Sequence, residues 1–292
     1  MPSQKRLDMN SYNRRKFLQS VTLGTSVSLG LSNIGLTQEA TKTASPAGSP
    51  AKFSLALASY TMRKFSLEQT IAIAKRLDLK QMSLKDFHLP LNSDEATIKA
   101  AIAKAKEAGI NVYGCGVVAM KTKEDVERAF NYAKSAEMKT IISSPDPSLL
   151  EMIVEKIKEF DIRVAIHNHG PEDKNFPTPA SVYEKIKGMD ARIGLCIDIG
   201  HTQRAGIDPS EAVEQFADRL MDMHIKDVSL AKAIGKTLEM GRGVINLPKL
   251  FKTLVRVGYS GTAAFEYEKD DNDPIPGLAE SVGYARGILA AI

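Results

Sequence analysis

Four short segments of this chain hold side chains that could bind a metal ion and move protons. They read His167-Asn168-His169-Gly170, Asp198-Ile199-Gly200-His201, His224-Ile225-Lys226-Asp227 and Glu266-Tyr267-Glu268. Each follows a short β-rich run, and together they contain four of the five histidines. Imidazole nitrogen and carboxylate oxygen in one site suit Zn²⁺, Mn²⁺, Co²⁺ or Fe²⁺ better than Ca²⁺. The pattern therefore predicts one divalent-metal site flanked by acid–base groups.

The same segments supply further groups that could move a proton. Glu266 and Glu268 point to the same side because side chains alternate along a strand, so both can face the site. Lys226 could protonate a leaving oxygen or stabilise an oxyanion, and an ion pair with Asp227 explains it equally well. We predict that Glu266, His169, Lys226 and Glu268 are the catalytic residues.

Residues for binding a substrate are predicted at three other places. Tyr60 and Arg63 follow the first β-rich run and could bind substrate hydroxyls. His88 follows the second run, where a structural role is an equal alternative. Arg242 lies in the glycine-containing connection 226–246, the longest in the chain, and long connections often shape a site.

A repeated strand–helix pattern must position these residues. The β-rich runs cover 53–58, 80–84, 110–118, 139–142, 162–166, 192–197, 220–225 and 261–265. Stretches with helical periodicity lie between them, for example 66–77, 94–108 and 123–137. Eight such units predict an α/β fold, a single (β/α)8 TIM barrel over residues 52–292. An open nucleotide-binding sheet would usually carry a glycine-rich turn after its first strand, and this chain has none there.

Residues 1–51 are predicted to be an export signal and linker. Arg14-Arg15 precede the weakly apolar stretch 21–36, and a segment rich in Thr, Ala, Ser and Pro follows at 37–51. This order resembles a twin-arginine signal and implies a periplasmic or exported protein. The apolar stretch is too short and too polar for a stable membrane span. A tail with a chance arginine pair is the alternative.

Charge and cysteine content exclude several classes of protein. The formal net charge is +4, and the first fifty residues account for it with six basic and two acidic side chains. The remainder is neutral, which argues against a nucleic-acid partner. The two cysteines, Cys115 and Cys196, exclude a disulfide framework.

The segments CIDIGH, MHIKD and AFEYE, in this order, resemble the xylose isomerase-like TIM barrel superfamily. This resemblance implies a metal site in which Asp198, His224 and Glu266 are ligands and His201 contacts substrate. His167 stands where the epimerases of the superfamily have a glutamate, and HNHG is more similar to inosose dehydratases. His167 could be a ligand, an acid–base group or a residue beside the ligands, and we favour the ligand.

The expected chemistry begins with removal of a proton next to a carbonyl, giving an enediolate that a divalent ion stabilises. Three functions stay open. The first is a metal-dependent isomerase or epimerase of an unphosphorylated keto-sugar. The second is a dehydratase or lyase that performs β-elimination on a keto-sugar or 3-keto-glycoside. The third is a carbohydrate-binding barrel without catalysis. A small carbohydrate is the expected partner in each case, and a homo-oligomer is possible.

Overall fold

A closed barrel of eight parallel strands forms the body of the protein. The computed structural model describes residues 52–292, so the predicted export signal at 1–51 lies outside the described residues. The barrel strands are β1 (Ser54–Ala58), β2 (Gln81–Leu84), β3 (Asn111–Val118), β4 (Thr140–Ser143), β5 (Arg163–His167), β6 (Ile193–Asp198), β7 (Leu220–Ile225) and β10 (Thr262–Phe265). Strand β10 pairs with β1 and closes the barrel. The predicted (β/α)8 barrel is confirmed, and every predicted run matches its strand to within one residue.

Helices surround the barrel, and seven of the nine described helices begin after a residue whose side chain caps them. They are α1 (Leu67–Arg76), α2 (Glu95–Glu107), α3 (Lys123–Ser135), α4 (Leu150–Phe160), α5 (Pro179–Ile186), α6 (Ile199–Arg204), α7 (Pro209–Gln215), α8 (Leu247–Arg256) and α9 (Ile275–Leu289). Ser66 caps α1 by accepting a hydrogen bond from the backbone N–H of Gln69, whose side chain accepts one in return. Within residues 52–292, every helix is too short or too polar to cross a bilayer.

Small side chains fill the barrel interior below the predicted site. Ala165 and Cys196 belong to one buried interior cluster and Ala264 to another. His167, Asp198 and Glu266 each lie two residues further along the chain, and side chains two residues apart share a face of a strand. These three side chains therefore point into the mouth of the barrel rather than toward the helices.

The long connection after β7 is an ordered structure anchored by Asp227. Strands β8 (Asp227–Val228) and β9 (Thr237–Leu238) pair antiparallel and form the β8–β9 hairpin. The buried Asp227 carboxylate accepts hydrogen bonds from four backbone N–H groups, those of Val228, Gly241, Gly243 and Ile245, at 2.8–3.2 Å. This carboxylate fixes both ends of the connection, and it is therefore not the partner of Lys226 considered above.

Candidate active site

Four buried side chains converge at the carboxyl end of the barrel. His167, Asp198 and His224 come from β5, β6 and β7, and Glu266 follows β10 directly. We call these four residues the ligand quartet. Each offers one nitrogen or oxygen atom, and these atoms all lie within 4.8 Å of one another. In parallel strands the carboxyl ends meet on one face, and the register pairs Asp198 with His224 side by side.

The ligand quartet fits a divalent metal ion. Among residues 52–292, neither ring nitrogen of His167 or His224 has a hydrogen-bond partner, although all four nitrogens are buried. Nε2 of His167 lies 3.3 Å from Oδ2 of Asp198, and Nδ1 of His224 lies 3.2 Å from Oε1 of Glu266. Buried polar atoms are normally satisfied, so four buried nitrogens without a partner, next to two carboxylates, fit a site that binds a cation. Two imidazoles and two carboxylates form a donor set that borderline divalent metals accept.

Burial and neighbouring charges favour the protonation states that metal binding requires at three of the four residues. At His224, burial lowers the pKa but the Glu266 carboxylate more than offsets this effect, so the net pKa is raised and metal binding would displace a proton from this ring. Burial is the main cause that lowers the pKa of His167 to about 3, so its imidazole is neutral. Burial opposes ionisation of Asp198, yet the Lys226 ammonium outweighs this effect and the pKa of Asp198 is lowered. Glu266 behaves in the same way, because His224 and Lys226 lower its pKa despite burial. Neutral imidazole and ionised carboxylate are the forms that bind metal.

Lys226 inserts its ammonium among the carboxylates of the site. Its Nζ lies 2.9 Å from Oδ2 of Asp198 and 2.7 Å from Oε2 of Glu266, and it also contacts Glu268. Only 3% of the residue is exposed. Burial lowers the pKa of Lys226, but the three carboxylates more than offset this effect and the net pKa is raised. The site therefore holds a fixed positive charge next to the ligand quartet.

His169 and His201 stand beside the quartet with their ring centroids 6.0 Å apart. The side chain of His169 is 35% exposed, and its Nδ1 lies 3.4 Å from Oδ2 of Asp173. The Nδ1 of His201 accepts a hydrogen bond from Arg204 at 3.0 Å, which leaves the proton of the neutral ring on Nε2. The backbone N–H of His201 donates to Oδ1 of Asp198, so the N-cap of α6 also orients this ligand.

A cavity of about 570 Å³ opens above the quartet, and we call it the first cavity. Its lining includes half of the twelve predicted site residues, namely Tyr60, His167, His169, His201, Glu266 and Glu268. Arg63 lies behind the wall, where its guanidinium donates to the carbonyl of Glu268 at 2.9 Å and stacks on Tyr60. Arg63 therefore supports two cavity residues from outside.

Two residues predicted to bind substrate lie elsewhere. The Nδ1 of His88 is 2.9 Å from Oγ of Ser59, and its Nε2 faces Oγ1 of Thr70 and two backbone carbonyls. The turn after β2 folds back over α1, so this ring is buried in a structural network and does not face the mouth. Arg242 forms a two-point ion pair with Glu280 on α9, on the outer wall of the barrel. The structure therefore corrects both predictions of substrate contact.

The sequence analysis missed several residues at the site, among them Asp173 beside His169. Lys85 and Lys121 line the first cavity on the side of β2 and β3. Lys85 directly follows β2, so the strand-end rule applied to the later strands would have found it. The Asn168 side chain accepts from the backbone N–H of Asp198 at 3.1 Å and donates to Thr202 at 3.2 Å. Asn168 thereby holds the end of β6 in place.

Comparison with known proteins matches residues 61–288 to the family described as "Xylose isomerase-like TIM barrel". The rhizopine catabolism protein MocC of Rhizobium meliloti is 26% identical over 45% of this chain and 45% of its own length. Inosose dehydratase of Geobacillus kaustophilus is 28% identical over 32% of this chain and 34% of its own length. The chain thus matches less than half the length of these curated relatives.

Among solved structures, a "D-tagatose 3-epimerase-like protein" superposes with a TM-score of 0.63. It is 18% identical, and the superposition covers 80% of this chain and 99% of that structure. At this identity the likeness concerns the fold alone.

Proposed function

Because the chain belongs to the xylose isomerase-like TIM barrel family, we propose that it is a divalent-metal-dependent enzyme that removes a proton next to the carbonyl of a keto-sugar. The observation that carries this proposal is the ligand quartet, whose imidazole nitrogens have no hydrogen-bond partner among residues 52–292. The quartet opens into a cavity of about 570 Å³, within the range of small-molecule sites.

The four members of the quartet would hold the ion. A divalent ion bound there supplies Lewis acidity, which stabilises negative charge on oxygen atoms next to the carbon that loses its proton. The chain's own residues then have to bind the sugar, remove the proton and control where it goes. Tyr60 offers a hydroxyl and a ring face at the cavity wall, and His201 offers an Nε2–H donor.

His169 is the proposed base. Its ring lies on the wall of the first cavity, partly exposed, with its centroid 4.4 Å from that of His167. The ring can therefore reach a substrate held at the quartet without being a member of the quartet. Asp173, 3.4 Å from its Nδ1, stabilises the imidazolium that forms when the ring accepts a proton.

Lys226 is the proposed acid, and it favours elimination. Its ammonium is fixed between the carboxylates of Asp198, Glu266 and Glu268. When the base removes the proton, the C–H electrons form a carbon–carbon double bond and the β C–O bond breaks with its electron pair. The departing oxygen takes a proton from Lys226, and the proton gained by the base returns to the amine through solvent. Elimination needs only this one base and one acid. It therefore suits a site in which His167 replaces the glutamate that the epimerases of the superfamily have at this position.

Isomerisation or epimerisation is the second candidate, and a different observation favours it. Glu266 and Glu268 both line the first cavity together with His169. Return of the proton by one of these groups to the neighbouring carbon would give an isomer. Its return to the opposite face of the same carbon would give an epimer.

NMR of keto-sugars incubated in D₂O with metal-loaded protein tests these alternatives. A new olefinic signal and a released alcohol or water identify the lyase, and deuterium in a rearranged sugar identifies the isomerase or epimerase. Binding without any spectral change would leave a carbohydrate-binding barrel and overturn the catalytic proposal. His169→Gln is the informative variant, and Glu155→Gln on the exposed face of α4 is the matched control.

A further inference from the structure

A second cavity of about 490 Å³ lies beside the first. Its walls come from α6, from the β8–β9 hairpin and from the segment after β10. His201 and Glu268 line both cavities, so the two spaces meet at these side chains. A single sugar ring bound at the ligand quartet would occupy the first cavity and would not extend into the second.

Lys226 marks the boundary between the two spaces. The residue lines the second cavity, while its Nζ contacts Asp198 and Glu266 of the ligand quartet. An oxygen atom bonded to a sugar ring at the quartet and directed toward the second cavity would therefore pass the ammonium. This is the position that an acid must occupy in order to protonate a leaving oxygen.

The lining of the second cavity suits a group with polar and apolar faces. Its cations Arg204 and Lys269 are engaged by Glu172 and Glu239 respectively, whereas Lys236 is exposed at the edge of the cavity. Val228 and Leu238 contribute apolar surface, and Thr237 contributes a hydroxyl. Sugar rings and simple aglycones present this mixture of hydrogen-bonding and apolar surface.

We propose that the second cavity is a leaving-group subsite and that the substrate is a keto-glycoside. This inference rests on the proposed elimination chemistry. The keto-sugar ring lies at the quartet, and its substituent, a second sugar or an aglycone, lies in the second cavity. For a 3-keto-glycoside, the proton leaves C2, its electrons form the C1–C2 double bond, and the C1–O bond breaks. The substituent departs as an alcohol whose new O–H proton comes from Lys226.

The β8–β9 hairpin forms one wall of this subsite, so a substitution in the hairpin can test it. Leu238→Trp adds bulk inside the second cavity without touching the quartet. Val244→Trp is the matched control because Val244 lies on the same connection and is 49% exposed. The probes are a 3-keto-disaccharide and the corresponding methyl 3-keto-glycoside, which share the keto ring and differ only in the substituent.

We expect Leu238→Trp to weaken binding of the disaccharide at least about tenfold and that of the methyl glycoside by less than about twofold. Val244→Trp should change neither affinity. Titration calorimetry is done in the His169→Gln background, which lacks the proposed base, so that affinities are measured without turnover. A selective loss then supports the subsite even if the elimination proposal fails. Equal losses for both ligands, no loss for either, or no binding of either by the unmodified protein would overturn the subsite. Circular dichroism of both variants confirms that the barrel is intact.

Discussion

The Nζ atom of Lys226 lies 2.7 Å from Oε2 of Glu266, and both side chains are almost fully buried. The opposite oxygen of the same carboxylate, Oε1, lies 3.2 Å from Nδ1 of His224. One carboxylate thus joins the proposed acid to the proposed metal site. A buried pair of this kind is costly to break by removing one partner, because the other charge is left uncompensated.

The first prediction concerns metal content. The purified protein should bind about one divalent transition metal per chain. Asp198→Asn and His224→Gln should each lose most of it, since each removes one of four ligands, whereas Glu155→Gln should keep it. Elemental analysis after dialysis measures the content. Full occupancy in both ligand variants would contradict the assignment. Metal at about one hundred times its Kd should also stabilise the unmodified protein by about 2.7 kcal/mol in denaturant unfolding.

The second prediction concerns Lys226 as an acid. Lys226→Met should lower kcat about 10²- to 10⁴-fold for a keto-glycoside with an alkyl leaving group. The loss should be much smaller for a 4-nitrophenyl leaving group, because its oxygen departs without protonation. Lys158→Met on the exposed side of α4 is the control. A purely structural role for Lys226 would reduce both rates equally, so the ratio of the two rates decides the question.

The third prediction concerns Gly200, a positioning residue. A Cβ added to Gly200 would lie 2.5 Å from Cγ of Lys226 and 2.7 Å from its Cδ. Gly200→Ala must therefore displace the lysine stem, and we expect kcat to fall about tenfold or more with a small change in KM. Gly287→Ala in α9 is the matched control, since apart from the backbone of its own helix and its chain neighbours nothing among the described residues lies within 4 Å of its added Cβ. That control should stabilise the protein by about 0.5–1 kcal/mol. Unchanged kcat in Gly200→Ala would contradict the proposed placement of the ammonium.

The fourth prediction concerns the pH dependence of stability through Glu239. The Lys269 ammonium, 2.8 Å from Oε1, is the main cause that lowers the pKa of Glu239 from 4.5 to about 2. A carboxyl whose folded pKa is depressed stabilises the protein above its unfolded pKa and loses this contribution as pH falls through the folded pKa. The contribution should therefore be complete above about pH 5 and lost between about pH 4.5 and 2.

Urea unfolding of Glu239→Gln measures this contribution. At about pH 7 the variant should be less stable by about 1 kcal/mol, a modest value because Lys269 is partly exposed to solvent. The difference should narrow as the pH approaches 3, where the unmodified protein begins to lose its ionised carboxylate. A difference that stays constant between these pH values would rule out the ion pair as its cause.

The fifth prediction concerns export. We propose that residues 1–51 direct the folded protein through the twin-arginine route, and N-terminal sequencing of exported protein should show a mature start between about residues 37 and 52. The double variant Arg14→Lys, Arg15→Lys should stay inside the cell in uncleaved form. Lys5→Arg is the control, because it exchanges one basic side chain for another at a position outside the arginine pair. Normal export of the double variant would exclude this route.

The sequence alone predicted the barrel and favoured the four members of the quartet, with the role of His167 left open. Side-chain alternation and the repeated strand–helix spacing are local properties, so they place the eight barrel strands and their polar ends without knowledge of the fold, whereas the β8–β9 hairpin was not predicted. Once eight parallel strands are inferred, the closed barrel brings their carboxyl ends together, and His167, Asp198, His224 and Glu266 must meet.

Only the tertiary structure showed which groups the side chains of Lys226, His88 and Arg242 contact. Lys226 could have paired with its neighbour Asp227, but that carboxylate is taken by four backbone N–H groups of the same connection. His88 follows a strand like the other histidines, yet the turn that carries it folds outward onto α1. Arg242 reaches a glutamate 38 residues away. Such choices depend on which distant groups occupy the same space, and a one-dimensional pattern of residue types does not contain that information.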